Sequence, residues 1–497
     1  MRQEKNNYSR ILMRKYFDEN TLINADIESF NNFIENELQN IIDINSVLEP
    51  TIIPENVEEF KIKLGKISVG KPQITEADGS QINITPKEAR LRGLSYAAPM
   101  FIEVSSFING VERESFRTQL GKIPIMLHSK YCYLHGLSKK ELIEKGEDPD
   151  DPGGYFIING TEKVLVKIED LVANRLLIKR NKVGTSEYEG TLFSERESYK
   201  IPHKFEKLKD SVFYLTFTRV KRIPVIILIK ALGLLNDESI MRIVGLPDNS
   251  EVFLNLYKFV DIKTQEEALN FIAKKVGITQ AKDVRIERTQ EILDKYLLPH
   301  VGGDKEHRME KAYNLCKYLK KFIMTEEGKW PVDDKDHYKN KRLKLSGDLL
   351  ADLFSVNLKV LIGDLLYNFQ RMVKRGKFPS IKVIIRDKLL TKRIFSSMAT
   401  GTWVGGRTGV SQRIERLNFL HLLSYLQRVV SPLSTVGENF EARMLHATHM
   451  GRLCPTETPE GTNIGLRKNM ALLASVSLNT DEKELLTKLK KFGLKQI

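Results

Sequence analysis

The stretch HATHMGRLCPTETPEGTNIGL, residues 446–466, decides how this chain is read. His446 and His449 lie three apart, five residues before Cys454. Zinc prefers tetrahedral Cys and His ligands drawn from two close pairs. No second CxxC or HxxH pair occurs, Pro455 follows Cys454 at once, and Ala447-Thr448 stand where a catalytic HExxH motif needs glutamate. A nucleophilic Cys454 needs a base held by a third group, and no such setting surrounds it. GTNIGL and TGTWVGGRTG (400–409) are glycine-rich but match neither GxxxxGK[ST] nor GxGxxG. What remains is a polar loop. Pro455 and Pro459 fix φ, and Gly451, Gly461 and Gly465 permit tight turns. Arg443, His446, His449, Arg452 and Arg467 supply donors, and Glu457 and Glu460 supply acceptors able to hold arginines in place. Such a loop sets charged groups against something anionic.

The rest of the chain fits that direction. Its 497 residues suggest roughly three domains. With 41% hydrophobic and 29% charged residues a core can form. The formal net charge of +14 calls for a polyanion or an acidic protein partner. Basic blocks recur at 335–344, 373–377 and 386–393, each readable as a phosphate path or as a solvated helix face. Three scattered cysteines make no disulfide framework, which fits a reducing cytosol. The first residues contain no apolar signal-peptide region, and no run reaches the about 18 apolar residues that span a bilayer.

Periodicity places the elements. Asp26 is a candidate cap for a helix through Phe30, Phe33, Ile34, Leu38 and Ile41. FKIKLG (60–65) alternates as a strand. Asn159-Gly160 marks a tight turn after the apolar FII. IPVIILIKALGLL (223–235) reads as a buried helix or strand, SVFYLTFTRV (211–220) as a strand. KEHRMEKAYNLCKYLKKFIM (305–324) reads as a helix burying Met309, Tyr313, Cys316, Leu319 and Ile323. A long helix is expected over 346–374, capped by Ser346 and ended by Gly376 and Pro379, and SIKVIIRD (380–387) as a strand. The irregular alternation indicates mixed α/β (α+β), multi-domain architecture.

The 446–466 stretch closely resembles the signature of the second-largest, beta-type subunit of multi-subunit DNA-directed RNA polymerases. GGYFIINGTEKVL (153–165), LLPHVG (297–302), DDKDHYKNKRLKLSGDLL (333–350) and SMATGTW…GVSQRIERLNFLHLLSYLQRVVSPL (397–433) resemble the same family in the same order. The similarity runs from about residue 10 to 475 and fits the archaeal and eukaryotic branch better than the bacterial one. The family's subunit is roughly twice as long. The resemblance therefore implies the N-terminal member of an archaeal subunit carried as two polypeptides.

It further implies a protrusion at 1–178 and 336–385, a lobe at 179–335, a fork at 386–475 and the start of an external domain at 476–497. Gln412, Arg416 and Arg428 would face RNA or template phosphates. STVGENF (434–440) would be a loop near downstream strand separation. Arg443, His446, His449 and Arg452 would support that loop and the hybrid path. Glu460 would sit near the incoming nucleotide, in a charge network with a lysine of the partner polypeptide. The competing reading makes several arginines structural partners of Glu415, Glu438 or Glu457, and His421 and Tyr425 core residues. Where the family commonly has an aromatic after the second histidine, Met450 stands here. No NADFDGD-like stretch is present. The chain is thus expected to bind no cofactor, to leave Mg2+ to the largest subunit, and to be inactive alone. Implied partners are the C-terminal half of the beta-type subunit, the largest and other subunits, template DNA, nascent RNA and general transcription factors. The implied compartment is the cytoplasm, with no membrane association.

Overall fold

The computed structural model describes residues 2–494 apart from 20–21, 55–56, 182–183, 197–198, 219, 247–249, 438 and 478–481. The described residues form two units: one runs to Asp170 and resumes at Leu343, and the other is Leu171–Arg342. The inserted unit was expected at 179–335. Residues 386–475, expected as the fork, lie in the first unit.

In the first unit, helix Asn24–Asn32 continues through a wide turn, Phe33–Glu37, into Leu38–Ile44. Phe30, Phe33, Ile34, Leu38 and Ile41 are all buried, as the spacing requires. Asp26 does not cap this helix. It lies inside the first turn, buried, where its carboxylate accepts from Lys167 Nζ at 2.5 Å. An antiparallel sheet orders Val47–Leu48, Phe60–Val69, Ala97–Ile108 and Val111–Pro124. Phe60, Ile62 and Leu64 face its core side.

Helix Ser346–Val373 brings the later segment onto this core. Leu349, Leu350, Leu353, Leu358, Leu361, Leu365 and Phe369 are buried, and Phe369 stacks on Phe60 at 4.8 Å. Ser346 is not its cap. Leu345 holds that position and Asp348 Oδ2 accepts from its N–H at 2.9 Å. The Ser346 hydroxyl instead donates to the Asp26 carbonyl. Gly347 sits so close to the first helix that a Cβ would lie 2.1 Å from the Ser29 carbonyl oxygen.

The segment 380–387 forms no strand. Ile381–Ile384 is one helical turn. Its two buried residues, Ile381 and Ile384, are three apart rather than alternating, which is helical spacing. Glu114 fixes its start by accepting from Ser380 Oγ and Ile381 N. The Asn159-Gly160 turn forms as expected, with both φ values positive (50° and 72°). It joins Phe156–Ile158 to Thr161–Leu165, and Ser411–Arg413 adds a third strand on the far side of the latter.

The second unit pairs a five-stranded antiparallel sheet, Leu176–Arg180 to Val220–Pro224, with helices. The 211–220 stretch is not one strand: Phe213–Phe217 ends at Thr218, whose φ is 48°, and a new strand starts at Val220. Val225–Ala231 is a helix buried on every side, Lys230 included. Helix Arg308–Glu326 buries Cys316, Leu319 and Ile323 as expected. Met309 and Tyr313 are exposed, because the buried stripe is turned toward Ala312, Leu315 and Phe322.

Candidate nucleic-acid interface

Arg428 opens the middle one of three short paired strands. Arg428–Val430 runs parallel to Lys167–Leu171 on one side and antiparallel to Arg467–Asn469 on the other. Two buried charge pairs fasten them. Lys167 donates to Asp26 and to the Leu426 carbonyl, the latter at 2.7 Å. Lys468 meets both oxygens of Glu169, at 3.1 and 2.9 Å. Charges this deep are tolerated only when paired and hydrogen-bonded. Lys167 and Glu169 interrupt the apolar run that starts at Val164, and that interruption was the sequence signal for them.

Helix Phe419–Gln427 delivers Arg428 to the sheet. Asn418 Oδ1 accepts from His421 N at 2.7 Å, a side-chain cap on the helix start. Leu422 and Leu426 form its buried side. His421 and Tyr425 are half-buried and touch edge to face at 4.9 Å, so they flank the core rather than fill it. The Arg428 guanidinium lies over the Tyr425 ring, 4.2 Å from its centroid, where the ring's negative face attracts a cation. It also donates to Gln412 Oε1 at 3.4 Å. Gln412 in turn donates to the Gly409 carbonyl at 3.0 Å. Arg428 and Gln412 are thus brought together, both half-buried.

Arg416 is placed differently. Its Nε and Nη2 donate to Glu162, and Nη2 also reaches Asp151 and the Tyr155 hydroxyl, at 2.6–3.0 Å. Among the described residues Arg443 meets no carboxylate. It donates to the carbonyls of Thr462, Ile464 and Thr435 at 2.8–3.0 Å, tying 434–437 to 461–465. Gly465 seats on the Arg443 backbone, where a Cβ would lie 2.2 Å from the carbonyl oxygen.

His446 and His449 share one tight turn. His446 Nδ1 meets Thr448 Oγ1 at 2.7 Å, His449 is buried, and the ring centroids stand 6.0 Å apart. Arg452 is exposed and donates to the Thr448 carbonyl at 3.2 Å. Glu457 does not hold an arginine. Its Oε1 accepts from Ser424 Oγ at 2.7 Å and Asn469 Nδ2 at 2.5 Å. Glu460 and Glu415 are exposed, and Glu438 lies outside the described residues. The Cys454 thiol is drawn below its ordinary range by the Thr456 hydroxyl and by the backbone N–H groups of Thr456 and Glu457.

The basic blocks differ from one another. In 335–344, Lys341 pairs with Asp336 and Lys344 with Asp352. In 386–393, Arg386 approaches Asp364 and Arg393 donates to Asn357. In 373–377, Lys374, Arg375 and Lys377 are exposed, with no carboxylate partner among the described residues.

Two family models match this chain: one described as RNA polymerase beta subunit over residues 21–392, the other as RNA polymerase Rpb2, domain 3, over 412–476. DNA-directed RNA polymerase subunit Rpo2N of Methanocaldococcus jannaschii is 44% identical, over 98% of this chain and 99% of its own length. Rpo2N of Methanococcus vannielii is 40% identical with the same coverage. Subunit Rpo2 of Saccharolobus solfataricus is 43% identical over 95% of this chain, which spans 42% of that relative.

Proposed function

This chain belongs to the RNA polymerase beta subunit family, and on that premise we propose that it is the N-terminal polypeptide of a divided archaeal beta-type subunit. The match along nearly the whole length of both this chain and the Rpo2N relatives carries the proposal. In it, residues 1–178 and 336–385 act as protrusion, 179–335 as lobe and 386–475 as fork. The assembled enzyme copies DNA into RNA. Its other parts are the C-terminal half of the subunit, the largest subunit and further subunits, and it works in the cytoplasm with general transcription factors.

The chain's own contribution is placement. Nucleotide addition is phosphoryl transfer, dominated by positioning and metal electrostatics. Magnesium belongs to the largest subunit in this reading. Among the described residues no group of three or more His, Cys, Asp or Glu side chains is arranged to hold a metal. No described helix is long and apolar enough to cross a membrane. Arg428, with Gln412 beside it, offers a guanidinium committed to no carboxylate among the described residues, suited to a phosphate of RNA or template. Exposed Arg452 and the 373–377 cations extend the positive potential. Arg443 and the His446–His449 turn hold the loops, and Glu460 is left exposed for a lysine of the partner polypeptide. Binding of this kind is largely independent of sequence and strongly salt-dependent.

Purification of the chain from its native cells at moderate salt, with partners identified by mass, tests the proposal. Recovery with a second beta-like polypeptide and an NADFDGD-bearing chain supports it. Recovery as a folded monomer without them overturns it.

A further inference from the structure

Tyr155 stands at the centre of a closed network of charged side chains. Two guanidiniums enter it from segments far apart in the chain. Arg90 donates to Glu162 at 2.8 Å, to Glu147 at 2.7 Å and to the Tyr155 hydroxyl at 2.8 Å. Arg416 donates to Glu162, Asp151 and the same hydroxyl. Tyr155 is fully buried and its own proton goes to Asp151 Oδ2 at 2.7 Å. Two cations against three carboxylates leave the group negative overall. Burial works against ionising Asp151, yet Tyr155, Gly153 N–H and Arg416 outweigh it and hold the carboxyl below its usual range.

A guanidinium committed to two carboxylates has little to offer a phosphate, and Asp151 and Glu162 would repel one. What Arg416 does control is the link between the two candidate phosphate ligands, Gln412 and Arg428. It follows strand Ser411–Arg413, which holds Gln412, and precedes helix Phe419–Gln427, which ends at Arg428. Close by in the chain, Leu417, Phe419 and Leu420 are exposed and add little packing.

We infer that Arg416 is a positioning residue: it clamps the link between strand Ser411–Arg413 and helix Phe419–Gln427 onto Asp151, Tyr155 and Glu162 and acts through Gln412 and Arg428, without touching nucleic acid. The inference rests on the polymerase reading, and its failure is separable, since failure of that reading shows first as a wild-type chain that does not assemble into polymerase.

The test uses reconstituted polymerase carrying Arg416→Ala, Arg416→Lys, Glu162→Gln, Arg428→Ala and the Arg416/Arg428 and Arg416/Glu162 double variants. Elongation-complex half-life is read across a salt series. Arg416→Ala should shorten it roughly tenfold or more, as a small misplacement near reacting groups does. Glu162→Gln should reproduce that loss. Each double variant should be no worse than its more severe single variant, and Arg416→Lys should recover part of the loss. The salt slope for Arg416→Ala should fall no further below the parent than that for Arg428→Ala, and the Arg416/Arg428 variant should match Arg428→Ala. A slope reduced by about a further 0.7–0.9 in the double variant, the value for one more lost phosphate contact, would overturn the inference. So would a half-life unchanged or lengthened in Glu162→Gln, or additivity between Arg416→Ala and Arg428→Ala. If Arg416→Ala fails to assemble, Glu162→Gln and Arg416→Lys still decide the matter.

Discussion

Lys167 and Lys311 are both lysines removed from water, at 2% and 0% exposure, and they are satisfied in opposite ways. Lys167, in the first unit, meets the carboxylate of Asp26, 141 residues earlier, and the carbonyl of Leu426, 259 residues later. Lys468 in the same unit meets Glu169 across 299 residues. Lys311, in the inserted unit, donates to the carbonyls of Leu293 and Asp294, 18 and 17 residues away, at the end of helix Lys282–Tyr296. There the ammonium caps a local helix terminus. The first unit therefore uses buried charge to register chain-distant segments, and the candidate interface is where those segments meet. At Lys311 the inserted unit uses it to finish a neighbouring element.

The sharpest way to break that contrast is Lys167→Met. It leaves Asp26 buried beside no cation, and stranding one member of a buried pair costs about 3–5 kcal/mol. Hydrogen exchange followed by mass spectrometry on the full chain should show protection lost over 24–32, 167–171 and 426–430, with 171–342 otherwise unmoved. Unchanged protection in those segments would mean that the pair does not register them.

Gly347→Ala comes next. A methyl group 2.1 Å from the Ser29 carbonyl oxygen forces two backbones apart. Overpacking of this kind costs about 1–3 kcal/mol. The loss should again appear in both helices, 24–32 and 346–373, although 318 residues separate Ser29 from Gly347. A variant as stable as the parent by denaturant midpoint would show that the two helices can slide.

Lys311→Met should cost less, about 1 kcal/mol at neutral pH, since it removes a desolvated charge while taking one donor from the Asp294 carbonyl and leaving that of Leu293 to the Leu297 N–H. Its signature is in pH dependence. Burial lowers the Lys311 pKa to about 8, against about 10.4 for lysine in an unfolded chain. Between these values the unfolded state holds the proton more tightly. Unfolding then takes up a proton, and the stability of 171–342 rises as pH goes from about 8 to about 10.4. Lys311→Met should flatten that rise. A slope that survives the substitution would show that another group carries it.

The contrast also explains what could be read from the sequence. The Phe30–Ile41 stripe, the FKIKLG strand, the Asn159-Gly160 turn and the long helix from 346 were legible because each is written in short, regular spacing. The resemblance supplied the family. Ser346 misled because its hydroxyl serves Asp26, and Ile381–Ile384 because a turn fixed by Glu114 outweighed β-branched composition. The partners of Arg416, Glu162 and Asp151, were not legible because they lie 254 and 265 residues upstream. Local periodicity carries no trace of pairings at that distance.

If distance along the chain sets the size of an effect in the first unit, a candidate residue satisfied locally should matter least. Cys454 is the case. Its thiol meets Thr456 Oγ1, two residues on, at 3.3 Å, and the neighbouring N–H groups that lower its pKa would serve a hydroxyl equally well. Cys454→Ser should change stability by less than about 0.5 kcal/mol and leave RNA synthesis by reconstituted polymerase within a few-fold. Alkylation of the exposed edge of the thiol should lose its label in the variant without loss of synthesis. A hundred-fold drop would revive the nucleophile that the 446–466 stretch first brought to mind. It would also show that a contact two residues long can carry as much as one spanning hundreds, and so undo the contrast between the units.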